Sequence, residues 1–322
     1  MQNSNTNPVT DPSSLHVGET IIVVVGVNKS LLYAAHWLSK FGCSLIGAAS
    51  LAEAAASPRK PLAVIIAGDA SEASGSTEMS GEVPAIFLWD YETGIPGVGE
   101  FACAVSGVST VIGQADGPPG VLPARIPEKW VGLFGASLAL SLKVAAARPK
   151  SSLPKRIDIS AADVLRAYAE QNSGNHAGVP YGWRRNGRTA VEHGGVFPQG
   201  FFRCRDGFMA IQARSRPDWQ AILTALDNPD WSADPRLQNP FKLSEDDSVI
   251  LPLLHEELMK RDRRSLLDRA AVTGAPIAPV LPITEAIEWQ VFRSGFVTAS
   301  GGLGMPFTVI RKESHLHGEP AA

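Results

Sequence analysis

The apolar run IIVVVGV, Ile21–Val27, constrains what this chain can fold into more than any other stretch. It is far shorter than the ~20 residues needed to cross a bilayer, so it reads as a strand buried on both faces. The turn NKS follows, then Leu31, Leu32, Ala35, Leu38 and Phe41 at helical spacing, then Gly42 and a second apolar segment, CSLIGAA. This is a strand, helix, strand unit. LAVIIAG (Leu62–Gly68) and AIFLWDY (Ala85–Tyr91) add two more strands, with a Ser/Gly/Glu-rich loop between them. Such alternation predicts an α/β fold with a largely parallel, Rossmann-like sheet and helices on its faces. The first turn has no G-x-G-x-x-G, and no G-x-x-x-x-G-K-S/T occurs anywhere, so neither a nicotinamide nor an NTP site is expected.

Further along, EKWVGLFGASLALSLKVAAAR (Glu128–Arg148) is apolar nearly all round, with Gly132, Gly135 and Ala136 at close-packing spacing. It predicts a buried helix, with Glu128 at its positive end and Arg148 at its negative end. Pro149 stops it, and a basic linker leads to RIDISAADVLRAYAEQ (Arg156–Gln171), where a strand gives way to a helix. Asp158 lies in the strand, with Arg156 as a natural partner. Ser160 and Asp163 match a capping box, and a carboxylate at a helix N-terminus keeps its charge. The same position suits a nucleophile at the end of a sheet.

Ser173–Gly200 is rich in glycine, arginine and aromatics and too long for a plain connector, which marks it as a candidate functional loop. FFRCRD and FMAIQA then predict two short strands, followed by helices around Trp219–Leu226, Val249–Arg261 and Ser265–Ala271. A strand, a short helix in APIAPVLPITEAIEW and a last strand in GGLGMPFTVI close the chain, the last able to rejoin the first sheet. The expected organisation is a flexible tail over residues 1–17, a large domain over 18–200 plus 281–322, and a small α+β domain over 201–280.

The net charge of −3, with Lys and Arg scattered, gives no footprint for nucleic acid or an anionic membrane. Cys43, Cys103 and Cys204 are far apart and odd in number, so no disulfide framework is expected and a cytoplasmic location fits. The N-terminal stretch has no apolar core and reads as neither a signal nor a transit peptide. Of the histidines only His315-x-His317 has metal-ligand spacing, so no metal is expected.

Four segments in order, SGVSTVIGQADGPPGVLPARIPEKWVGLFGASLAL, IDISAAD, GGVFPQGFFRCRDGFMAI and GAPIAPVLPITEAIEWQVF, resemble the class III CoA-transferases of the formyl-CoA and carnitine CoA-transferase type. The likeness runs from about Gly97 to Val309. In that family the second aspartate of a V-D-V-S-x-x-D segment is the nucleophile, which implies this role for Asp163. The resemblance also implies a glycine-rich loop over the site, matched by Gly194 and Gly195 with His193 beside them. Glu100, in GVGEFACAVSG, matches an acidic residue near the site in some members. Lys29 falls where a residue contacting the co-substrate is expected. Members usually carry A-G-P, V-I-K-V-E and E-N-F-R-P-G segments, where this chain has other residues.

The resemblance thus implies an acyl-CoA:carboxylate CoA-transferase using coenzyme A as co-substrate, with no permanently bound cofactor. CoA would move between an acyl-CoA and a small carboxylic acid through an aspartyl anhydride and an aspartyl-CoA thioester. It further implies an interlocked homodimer. Two alternatives stand beside it: a non-catalytic or half-active subunit that needs a related partner, and an acyl-CoA racemase or isomerase of the same fold. For the racemase, GVGEF lacks both the G-H-D and the G-Y-D pattern.

Overall fold

The computed structural model describes residues 20–68, 83–114, 116–123, 125–148, 152–172 and 196–289. They divide into two units. One holds the described residues up to Ser106, Leu122–Ala167 and Trp289, and the other holds Gly107–Val121 and Tyr168–Glu288.

The first unit is built on five parallel strands: β1 (Ile21–Val25), β2 (Ser44–Ala48), β3 (Ala63–Ala67), β4 (Ala85–Trp89) and β5 (Arg156–Ser160). Their order is β2-β1-β3-β4-β5, with Val23 opposite Ile46 on one side and Val64 on the other. Every residue of β3 and β4 is buried, as strands covered on both faces require. After β2 the chain crosses to the far side of β1, so the strand order switches direction between β1 and β3. In open α/β sheets ligands gather outside the carboxyl ends of the strands at such a switch.

One face of the sheet carries α2 (Leu51–Ala55) over Val23, Val25, Val64, Ile66, Phe87 and Trp89. The other carries α1 (Lys29–Lys40) and α4 (Ile126–Ala146). α1 buries Leu31, Ala34 and Leu38, whereas Leu32, expected on that face, is half exposed. α4 lies close because it has glycines where a side chain would collide. A Cβ on Gly132 would stand 2.6 Å from the Ser30 carbonyl oxygen, and one on Gly135 would stand 2.8 Å from the Leu88 side chain. α4 is also less enclosed than its composition predicts. Val131, Ala136, Ala139 and Leu142 are buried, but Leu133, Phe134 and Val144 are exposed, because α1 and the sheet lie along one side of it only.

The second unit contains an antiparallel sheet of β6 (Gln199–Cys204), β7 (Gly207–Gln212) and β8 (Ile277–Pro279), with β7 in the middle. Alternation sends Phe202, Cys204, Met209 and Ile211 inward and leaves Phe201 and Phe208 exposed. The inward face meets α6 (Arg216–Ala225), α8 (Ile250–Met259) and α9 (Arg263–Thr273), with the short α7 (Pro240–Leu243) beside them. Trp219 is fully buried at the centre and donates its indole N–H to the Leu237 carbonyl at 2.9 Å. Arg263 ties the β6–β7 turn to α10 (Ile283–Glu288) through Asp206 and Glu285. The strand expected in GGLGMPFTVI lies outside the described residues.

Candidate active site

The carboxyl edge of the first sheet gathers polar groups from three strand ends. After β1, Asn28 caps α1: its side-chain oxygen accepts the Leu31 N–H at 2.8 Å, while its amide donates to the Leu88 carbonyl of β4 at 2.7 Å. After β4, Asp90 accepts the N–H groups of Lys29 and Ser30, both at 2.9 Å, and the Ser30 hydroxyl. The positive end of α1 is thus met by a carboxylate of the protein itself. After β5, the backbone N–H of Ala162 donates to the Tyr91 carbonyl at 2.9 Å, which joins the β4 and β5 ends directly.

Asp163 sits in the first turn of α5 (Ala161–Asn172). Ser160, fully buried, accepts the Asp163 N–H at 3.1 Å and donates its hydroxyl to Asp163 Oδ2 at 2.7 Å. The cap therefore differs from the reciprocal capping box, in which the acid would reach the N-cap backbone N–H. Arg166, one turn on, holds Asp163 Oδ1 at 2.9 Å and reaches Glu92 at 2.7 Å with its other nitrogen. Those two carboxylates, Glu92 first, raise the guanidinium above its ordinary value, which keeps it fully charged. The Asp163 side chain remains 61% exposed. It is an oriented carboxylate open to a ligand.

Asp158 differs in every respect. It takes two hydrogen bonds from Arg156, at 2.7 and 2.9 Å, and one from the Trp89 indole at 3.0 Å. The Arg156 guanidinium also lies 4.0 Å over the Phe87 ring. Burial works to raise the Asp158 carboxyl, but the Arg156 and Trp89 donors outweigh it and hold the group below the usual carboxylate range. This aspartate fastens the edge strand β5 to β4.

Lys29 is exposed at the start of α1 and is joined to the same edge through its backbone bond to Asp90. Glu100 is exposed in the first turn of α3 (Gly99–Val105), whose Phe101 meets the Tyr91 ring edge-on at 5.7 Å. Among the described residues Glu100 forms no hydrogen bond or ion pair with Asp163. His193, Gly194 and Gly195 lie outside the described residues. Among the described residues no group of three His, Cys, Asp or Glu side chains is placed to hold a metal ion. The three cysteines are buried and free, each thiol pushed up by burial. Sequence reasoning passed over Asp90, Glu92 and Arg166. The legible signal was an acidic pair just past an apolar strand, where a parallel sheet places its sites.

A parallel sheet of five strands with a separate antiparallel sheet is a fold that solved structures share. A CaiB/BaiF family protein from Brucella suis superposes with a TM-score of 0.72 at 15% identity, covering 93% of each chain. A hypothetical protein from Mycobacterium tuberculosis superposes at 0.64 and 15% identity, covering 96% of this chain and 94% of its own. The chain belongs to CoA-transferase family III, whose model matches residues 91–322. A curated relative, the acetyl-CoA:oxalate CoA-transferase of Acetobacter aceti, is 25% identical over 213 residues, 63% of this chain and 51% of its own length. The chain thus spans about half the length of that relative.

Proposed function

We propose that the chain transfers CoA between an acyl-CoA and a small carboxylic acid, with Asp163 as nucleophile. The observation that carries this reading is the Asp163 carboxylate itself, exposed at the sheet's carboxyl edge and held by Ser160 and Arg166. A carboxylate so placed attacks the thioester carbonyl of the acyl-CoA. The C–S bond breaks, CoA leaves as thiolate, and a mixed anhydride remains on Asp163. The thiolate then attacks the aspartyl carbonyl, releasing the first acid as carboxylate and leaving an aspartyl-CoA thioester. The acceptor carboxylate attacks that thioester, forming a second anhydride and freeing the thiolate again. Attack of the thiolate on the acceptor's carbonyl yields the new acyl-CoA and restores Asp163.

Ser160 and Arg166 fix the carboxylate so that little orientation is lost on reaction. The curated relative's oxalate supports a small, acidic acceptor. Asp163→Asn separates chemistry from capping. An amide keeps most of the cap, so stability, read from the melting curve, should change by no more than ~1 kcal/mol, while CoA transfer should vanish. Ordinary turnover in this variant would reduce Asp163 to a structural cap.

A further inference from the structure

Arg166 is shared between two carboxylates that play different parts. Its Nη1 donates to Asp163 Oδ1 at 2.9 Å, and its Nη2 donates to Glu92 Oε1 at 2.7 Å. Among the described residues these two acids are its hydrogen-bond and ion-pair partners.

Glu92 is the fixed partner. It opens a tight turn after β4, in which its carbonyl accepts the Ile95 N–H at 2.9 Å and Gly94, φ 79°, supplies the left-handed residue. The carbonyl of the preceding Tyr91 accepts the Ala162 N–H at 2.9 Å, which sets this turn against the start of α5. Glu92 is also the more enclosed acid, its side chain 28% exposed against 61% for Asp163. Asp163 is the partner that changes. In the reaction proposed above its charge is spent on acylation, and the aspartyl-CoA thioester is neutral too. One guanidinium therefore faces two carboxylates in the resting enzyme and a single one after Asp163 is esterified. Glu92 then keeps the guanidinium in place, while the N–H that faced Asp163 Oδ1 has lost its anion.

We infer, resting on Asp163 being the nucleophile, that Arg166 is the dock for the acceptor acid's carboxylate and that the charge of Asp163 closes this dock until the thioester has formed. In the resting enzyme an acid would bring a third carboxylate to one guanidinium, and like-charge repulsion opposes it. In the thioester an acid restores the resting charge balance and pairs with Arg166 through charge-assisted N–H bonds. The dock lies 2.9 Å from the position of Asp163 Oδ1, so an acid held there has an oxygen beside the aspartyl carbonyl carbon. That oxygen attacks the carbon and forms the new C–O bond of the anhydride. The C–S bond breaks, its electron pair leaves on the CoA thiolate, and the acid's charge is used up. Ser160, whose hydroxyl donates to Asp163 Oδ2 at 2.7 Å, stays on the carbonyl oxygen throughout. The arrangement imposes an order: the acceptor binds after CoA is loaded on Asp163, and unbound acid does not block the resting enzyme.

The first test needs no turnover. It is calorimetry on the full chain with oxalate and with acetate, in the absence of CoA. Asp163→Asn keeps the shape of the side chain without its charge, so it stands for the esterified enzyme. It should bind both acids at least tenfold more tightly than the wild type, and Arg166→Met added to it should remove the whole gain. The second test keeps Asp163 and reads turnover. In Arg166→Lys, kcat/KM for the acid should fall at least tenfold further than kcat/KM for the acyl-CoA, because only the second half-reaction starts from an unpaired guanidinium. Folded Asp163→Asn that binds the acids no better than the wild type would overturn the dock and leave the nucleophile standing. So would a gain that survives Arg166→Met, or equal losses in the two kcat/KM values. An Arg166-dependent gain in a chain that performs no CoA transfer would support the anion site and overturn its place in the reaction.

Discussion

Two aspartates five positions apart show how differently one side chain is used. Asp158 is tied by Arg156 and Trp89 to the edge of the sheet, and Asp163 is presented to solvent by Ser160 and Arg166. The first should register in acid stability. Its carboxyl is held below the unfolded value of ~3.9, so its contribution is fully present above that pH and is lost as pH falls through the lowered folded value. Asp158→Asn should therefore lower stability at neutral pH and flatten the decline below about pH 4. Melting curves from pH 2 to 7 check this, and parallel acid limbs in the two proteins would argue against it. The pairing of Ser160 with Asp163 was legible because capping is local. The Glu92–Arg166 bridge was not, since its partners lie 74 positions apart and meet only through the β4–β5 pairing.

At the scale of elements, the four strands expected from apolar runs and the fifth at IDIS form within a few residues of their expected positions. Burial on both faces leaves an unambiguous pattern. Helix faces were less legible: Leu32 and Phe134 are as apolar as their buried neighbours, and composition does not say on which side the sheet lies. The glycines of α4 carried the better signal. Gly132 lets α4 approach the Ser30 carbonyl, the same residue whose N–H and hydroxyl hold Asp90. Alanine at an exposed helix glycine gains about 1 kcal/mol, but here overpacking costs roughly 1–3 kcal/mol. Gly132→Ala should give a net loss of stability, read as a lower urea midpoint at unchanged slope. A gain would mean that the two helices are not in tight contact.

For the whole molecule, the common parallel direction of β1, β4 and β5 is what brings Asn28, Asp90 and Asp163 to one edge of the sheet. Among the described residues, the five strands of the first sheet and their parallel direction were legible from the alternation of strands and helices. The order was not, because parallel pairing is set by crossover helices and not by any residue pattern within a strand. The family segments placed Asp163 without that geometry, and the geometry adds Asp90, Glu92 and Arg166 to the account. The central claim is covalent chemistry at Asp163. Incubation of the chain with an acyl-CoA, acid quench and peptide mass spectrometry should find the acyl or CoA adduct on the peptide containing Asp163, absent after hydroxylamine treatment and absent from Asp163→Asn. Active enzyme that carries no adduct there, or an adduct that persists in Asp163→Asn, would contradict it.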